Sequence, residues 1–254
     1  MADAGTDTRP PLLSTTAALY LDFDGTLADI ALHPDLVVVS EPLPPLLLAL
    51  RERLAGAVAV ITGRRLAAVD AMIAPAYLAG SGLHGAELRL DGGAPPQLAV
   101  DPGGAGPLAR ALAARFAGDP RIYVEDKGAG VSLHYRRAPE RARECNEAMR
   151  ALAPKEQFDV TGGHLVVEAR PRGADKGAAL AALAKHPPFA GRKPVFVGDD
   201  VTDEDGFRAA ERLGGYGVKV GPGPTSARYR IAEVGRVHEW LDESLAALER
   251  RGPR

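Results

Sequence analysis

The sequence predicts an α/β protein in which a parallel sheet with crossover helices is interrupted by an inserted α+β unit. Two observations carry this reading. Short apolar runs that stop at Gly, Asp or Thr alternate with longer amphipathic stretches, the pattern of parallel strands joined by helices. Between about residues 97 and 172 that rhythm gives way to short paired strands separated by turn residues.

The elements follow in order. Residues 1–16 are polar and rich in Pro and Thr, lack the basic start and apolar run of a secretory signal, and are expected as a disordered tail. Core strands are expected at 17–21, 57–61, 77–79, 195–197 and 217–220. Helices are expected at 45–54, 66–73, 178–185 and 204–213, where apolar residues recur three and four apart. The insert reads as helix 108–116, strands 121–125 and 131–136, helix 140–152 and strands 157–160 and 165–169, an antiparallel sheet covered by helices on one face. Lys127-Gly128 and Gly162-Gly163 supply turns, and the Pro/Gly-rich stretches 91–96, 101–107 and 170–173 read as linkers. A helix over 237–251 closes the chain. The division that results is a core of 17–96 with 173–254 and an insert of 97–172.

Composition narrows the function classes. With 254 residues, 46% hydrophobic and 25% charged, the chain can bury a sizeable core and is not a disordered polymer. Thirty-one basic against 33 acidic residues leave a net charge of −2, so no broad positive field exists to hold nucleic acid or anionic lipid. The densest apolar run, 43–50, contains Pro44 and Pro45 and is followed by Arg51-Glu52-Arg53, well short of the roughly 20 residues that span a bilayer. Cys145 is the only cysteine, which excludes an intramolecular disulfide and a cysteine-based zinc site. The expectation is a cytoplasmic monomer acting on a small molecule.

In open parallel sheets, reactive groups gather beyond the carboxyl ends of the strands. The first strand runs into Asp22-Phe23-Asp24-Gly25-Thr26-Leu27, two carboxylates beside a glycine that lets the chain turn sharply. The second runs into Thr62-Gly63-Arg64, a hydroxyl and a backbone N–H ahead of a helix, where a phosphate oxygen can be received; Thr62 alone would also suit an ordinary N-cap. The strand at 195–197 runs into Gly198-Asp199-Asp200-Val201-Thr202-Asp203-Glu204. Acids so crowded repel unless a cation, a helix start or solvent relieves them. Capping accounts well for Asp203, Glu204 and Asp205 and poorly for Asp199-Asp200. Asp175-Lys176-Gly177 adds an ammonium on the core side of the insert. One decoy falls away: Gly80-Ser81-Gly82-Leu83-His84-Gly85 fits a dinucleotide-binding pattern, but the alternating run from Ala86 to Gly92 replaces the helix that pattern requires.

In order and spacing, Asp22-x-Asp24-Gly25-Thr26, Thr62, Lys176 and Gly198-Asp199-Asp200 resemble the four motifs of the haloacid dehalogenase superfamily. The resemblance implies a Rossmann-like parallel-sheet core, an inserted α+β cap domain of the C2B type, and chemistry through an aspartyl phosphate. Four further stretches look like the trehalose-6-phosphate phosphatases, over roughly residues 18–245. They are the acidic run from Gly198, Leu83-His84-Gly85-Ala86-Glu87, Glu125-Asp126-Lys127-Gly128 with Leu133-His134-Tyr135-Arg136, and Val167-Glu168-Ala169-Arg170-Pro171-Arg172-Gly173. Ala169 departs from the pattern, since relatives often carry a larger apolar residue there.

By that resemblance Asp22 is the nucleophile and Asp24 the general acid and base, with Thr62, Gly63 and Lys176 completing a phosphate cage. Mg2+ would be held by Asp22, the Asp24 backbone carbonyl and Asp199, with Asp200 and Asp203 in the outer shell; an all-oxygen set favours magnesium over zinc. Arg64, His84, Lys127, His134, Arg136, Glu168 and Arg172 are the expected remaining substrate-binding residues. The activity implied is hydrolysis of trehalose 6-phosphate to trehalose and phosphate. The alternatives are a phosphatase or mutase for another sugar phosphate, such as a sucrose, mannosylglycerate or hexose ester, which only the cap can distinguish, and a non-catalytic phosphosugar sensor. A sensor has no need of Asp22, Asp24, Lys176 and Asp199 together.

Overall fold

The computed structural model describes residues 9–31, 36–99, 104–163 and 165–250. Residues 1–8 of the expected tail, 101–103 of an expected linker and Arg251 of the last helix lie outside them. In chain order the first half contains β1 (Ala17–Leu21), α1 (Leu43–Arg53), β2 (Val58–Ile61), α2 (Leu66–Ile73), β3 (Ala79–Ser81), β4 (Glu87–Leu88) and β5 (Gln97–Leu98). There follow α3 (Ala105–Phe116), β6 (Tyr123–Asp126), β7 (Val131–His134), α4 (Ala142–Leu152), β8 (Phe158–Gly163) and β9 (Val166–Pro171). The chain ends with α5 (Lys176–Leu183), β10 (Lys193–Gly198), α6 (Glu204–Arg212), β11 (Tyr216–Val220), β12 (Tyr229–Ile231) and α7 (Val234–Arg250).

Six strands form one parallel sheet in the order β12-β11-β10-β1-β2-β3. Every residue of β1 and β2 is buried, as expected for strands covered by helices on both faces. Leu21 lies in register with Val197 on one side and Val60 on the other. The loops after β1, β2 and β10 therefore leave the same edge side by side, at the point where the strand order reverses.

Four strands form a separate antiparallel sheet, β6-β7-β9-β8. Its residues alternate. Val131, Leu133, Val167 and Ala169 point into a cluster with Leu108, Leu112 and Phe116 of α3 and Cys145 and Met149 of α4. Ser132, His134 and Glu168, one residue out of phase, face the opposite way and line a cavity against the parallel sheet. The fold class read from the sequence is the one observed, including helices on one face of the inserted sheet.

Several boundaries differ for physical reasons. Pro44 and Pro45 sit inside α1, in the first turn where an absent N–H costs little. The third strand starts at Ala79, where pairing with Ala59 begins, and Tyr77 is left exposed. Gly162-Gly163, expected as a turn, pairs with Val167 and Val166 at the end of β8. The hairpin β4–β5 and strand β12 were not anticipated. Residues 9–16, expected in the tail, are anchored: Leu13 is buried, its N–H donates to Ser244 Oγ at 3.2 Å, and Trp240 Nε1 donates to the Pro11 carbonyl at 3.2 Å. Among the described residues no helix is long and apolar enough to cross a membrane.

Candidate active site

Asp22 directly follows β1 and is buried, its N–H tied to the Val197 carbonyl of β10 at 2.9 Å. Lys176, the first residue of α5, is buried as well, and its ammonium bridges Asp22 Oδ1 at 2.7 Å and Asp203 Oδ1 at 2.6 Å. Burial works against the charge on Lys176, but the Asp203 and Asp22 carboxylates more than offset it and raise its pKa. Asp203 is fully buried and spends its other oxygen on the N–H groups of Asp199 and Asp200, at 2.9 and 2.8 Å. Asp200 caps the short 3-10 turn Val201–Asp203, accepting from the Val201 N–H at 2.6 Å in a reciprocal capping box. The capping account thus reaches Asp200 and Asp203, and leaves Asp199 without one.

Asp22, Asp199 and Asp203 present carboxylate oxygens all within 4.8 Å of one another. Burial, and then the Asp203 charge, push Asp199 up to about 7; burial and the same neighbour raise Asp22 well above the usual carboxylate range. Asp199 Oδ1 is buried with no hydrogen-bond partner among the described residues. Close packing of the loops makes this possible. Gly25 takes φ +78°, and a Cβ there would lie 2.2 Å from Asp199 Oδ2. An orphaned carboxylate oxygen in an all-oxygen acidic cluster fits a hard divalent cation, so the residues present suit the expected metal. Asp203, expected in the outer shell, shares this cluster of side-chain oxygens with Asp22 and Asp199.

The Asp24 carboxylate is gripped by Arg64 through two bonds, Nε to Oδ2 at 2.6 Å and Nη2 to Oδ1 at 2.7 Å. Arg64, expected on substrate, is thus engaged with the expected general acid. Thr62 is buried beyond β2 and its Oγ1 accepts the Arg64 N–H at 3.1 Å. The helix that follows, α2, begins only at Leu66.

The opposite wall of the cavity, about 430 Å³ in volume, comes from the inserted sheet. Glu168 Oε1 accepts from Lys127 Nζ at 2.6 Å and Ser132 Oγ at 3.0 Å, while Oε2 meets His84 Nε2 at 2.8 Å. Burial opposes ionisation of Glu168, yet His84 and Lys127 hold it well below the usual carboxylate range. Lys127 also donates to the Gly63 carbonyl at 3.1 Å. His134 pairs with Glu125 at 2.9 Å, and Arg136 reaches the Ala31 carbonyl.

All the expected catalytic and binding residues line this cavity except Arg172. Arg172 follows the end of β9, is exposed, and donates to the Lys155 carbonyl at 3.3 Å, so the structure does not bring it together with the others. Sequence reasoning passed over Glu125, Ser132, Arg65 and Thr161, which share the cavity. Ser132 and Glu125 were within reach of it: Ser132 is two residues before His134, on the same strand face, and Glu125 stands opposite Ser132 in register. Lys219, also passed over, lies behind the acidic cluster and donates to the Asp199 carbonyl at 2.6 Å.

The parallel sheet, with an acidic cluster at its switch point and an inserted sheet facing it, has the fold of solved phosphatase structures. Solved structures with this architecture include the C-terminal domain of a Candida albicans trehalose-6-phosphate phosphatase, with TM-score 0.78 and 22% identity over 92% of this chain and 93% of that one. A trehalose-6-phosphate phosphatase related protein superposes with TM-score 0.75 and 22% identity over 92% and 99%. The trehalose-phosphatase family matches residues 20–234, and the chain belongs to that family. Among its relatives, the trehalose-6-phosphate phosphatase of Escherichia coli K12 is 39% identical over 249 residues, 96% of this chain and 92% of that protein. A Sinorhizobium fredii protein named "Probable trehalose-phosphate phosphatase" is 44% identical over 219 residues, 85% and 82% of the two chains.

Proposed function

We propose that the protein hydrolyses trehalose 6-phosphate to trehalose and phosphate, with Asp22 as nucleophile. The observation that carries the reading is the arrangement of Asp22 and the Lys176 ammonium, 2.7 Å apart and buried, on the floor of a cavity whose other wall is a polar sheet face. The names of relatives sharing up to 44% identity support the substrate.

In this reading an Asp22 oxygen attacks phosphorus, the bond to the sugar oxygen breaks, and Asp24 supplies the proton that the leaving oxygen takes up. Water then attacks the aspartyl phosphate, Asp24 accepts its proton, and phosphate leaves. Arg64 orients the Asp24 carboxylate through its two hydrogen bonds. Lys176, Thr62 and the Gly63 N–H hold the phosphoryl oxygens, which is preorganised electrostatics rather than new covalent chemistry. A Mg2+ held by Asp22, Asp199 and the Asp24 carbonyl would supply charge neutralisation for an anion attacking an anion. Asp203 would not be needed to hold it, because its oxygens already serve Lys176 and two backbone N–H groups. Residues 97–172 act as the cap that recognises the sugar, with Glu168 and Lys127 exchanging their mutual hydrogen bond for sugar hydroxyls.

The test is phosphate release from purified protein across a panel of sugar phosphates, with Mg2+ and with EDTA. Trehalose 6-phosphate should be preferred, activity should vanish in chelator, and added Mg2+ should restore it. Preference for another ester would reassign the substrate; release undiminished in EDTA would remove the metal; no release from any member would favour a sensor.

A further inference from the structure

The segment Leu83-His84-Gly85 is not explained by the proposed chemistry, yet it carries the clearest backbone anomaly in the cavity wall. Leu83 and His84 both adopt the left-handed region, with φ of 52° and 55°. Two consecutive non-glycine residues there are costly, about 1–3 kcal/mol each, and persist only where surrounding structure imposes them. What imposes them is visible. The His84 N–H donates to the Thr62 carbonyl at 3.0 Å, and the Leu83 N–H to the Arg64 carbonyl at 2.9 Å, so the turn is stitched to the loop after β2.

The result is a buried imidazole that starts in the parallel-sheet core and ends on the inserted sheet. Its Nε2 lies 2.8 Å from Glu168 Oε2. Burial lowers the His84 pKa against the raising pull of Glu168, and, facing that carboxylate, Nε2 carries a proton and donates it. Among the described residues the buried Nδ1 has no hydrogen-bond partner, so Glu168 is the ring's one side-chain commitment there. The fit against the loop is tight: a Cβ on Gly63 would stand 2.4 Å from Nε2. Lys127 closes the circuit, linking Glu168 to the Gly63 carbonyl.

We propose that His84 is a positioning residue that sets the Glu168 carboxylate from the core, so that the sugar-binding face and the Thr62-Gly63 phosphate turn are held in one register. The sugar and the phosphate of one substrate are a fixed distance apart, and the walls that bind them belong to two separate sheets. A hydrogen bond from the phosphate turn's own scaffold to the sugar-binding carboxylate fixes that distance before substrate arrives, which is preorganisation in the sense that saves ordering on binding. The inference rests on the phosphatase reading above and adds a residue to its specificity machinery.

The test uses the amide isosteres of the two ring nitrogens. In the full-length protein, His84→Gln places an N–H near the position of Nε2, whereas His84→Asn places one near Nδ1. Steady-state kinetics are measured with trehalose 6-phosphate and with p-nitrophenyl phosphate, which has no sugar to register. His84→Asn and His84→Ala should lower kcat/KM on the sugar phosphate about tenfold or more, mostly through KM, and by a several-fold smaller factor on the aryl ester. His84→Gln should recover most of the loss. Combining His84→Ala with Glu168→Gln should be little worse than Glu168→Gln alone, because both remove one interaction. Equal behaviour of Asn and Gln, equal losses on both esters, or multiplying effects in the double variant would each overturn the inference while leaving the phosphatase intact. Wild-type protein that turns over no sugar phosphate would instead remove the reading beneath it, and the inference with it.

Discussion

The floor and the opposite wall of the cavity use charge in opposite ways. On the floor, Asp22, Asp199 and Asp203 crowd within 4.8 Å around a single bridging ammonium, Asp199 keeps an unpartnered oxygen, and burial pushes its pKa up to about 7. On the wall, Glu168 is matched by Lys127, His84 and Ser132 and is held as a carboxylate well below its usual range. An unsatisfied buried field is expensive and stores the capacity to bind a cation and a phosphoryl group. A satisfied network stores no such demand; it offers hydrogen bonds that a polyol can replace one for one. In the proposed reading, reactivity and recognition are thus divided between two sheets.

The sharpest way to break the comparison is at the floor. Asp22→Asn removes a carboxylate whose charge burial and Asp203 oppose more strongly than Lys176 favours it. Turnover should fall by about 10⁴-fold or more, as for loss of other covalent nucleophiles, while the thermal midpoint stays level or rises. Coupled phosphate assay and calorimetry on one preparation measure both. Activity near wild type would show that the floor's field is not the source of reactivity.

The same division governed what could be read from the amino-acid sequence. The floor was legible because each reactive group directly follows a buried apolar run: Asp22 after β1, Thr62 after β2, Asp199 after β10. A parallel sheet places such positions on one edge whatever the helices do. The wall was only half legible, since its residues depend on strand phase. Alternation in β7 and β9 gives Ser132, His134 and Glu168 one face, but β9 stops at Pro171 and Gly173 turns with φ +77°, so Arg172 no longer shares that face. Strands of two or three residues, such as β4, β5 and β12, are too short to show a period. Residues 9–16 gave no signal because two buried residues, Pro10 and Leu13, and a hydrogen bond to Trp240 anchor an otherwise irregular stretch.

A smaller effect sharpens the comparison at the wall. Glu168→Ala leaves Lys127 and His84 facing one another without their shared acceptor. Losing hydrogen bonds to a charged group at about 1.5–3 kcal/mol corresponds to roughly 10- to 150-fold in kcat/KM on the sugar phosphate. The aryl phosphate, which reaches the floor without touching the wall, should lose about threefold or less by the same scale. The ratio of the two losses is the measurement. Equal losses would mean that the wall contributes to the chemical step and that the division is false.

The smallest effect tests where the wall ends. Arg172 stands one residue beyond β9, exposed, with its guanidinium on the Lys155 carbonyl rather than in the cavity. An exposed side chain of this kind is worth about 0.5 kcal/mol or less, so Arg172→Ala should leave kcat/KM for the sugar phosphate within about twofold and the thermal midpoint nearly unchanged. The strand face, and not the charge pattern along the motif, is then what selects binding residues: Glu168 is inside the phase and Arg172 is past its end. A tenfold loss of sugar-phosphate turnover with the aryl ester spared would show that Arg172 reaches the sugar after all, and would extend the recognition surface beyond the sheet that defines it.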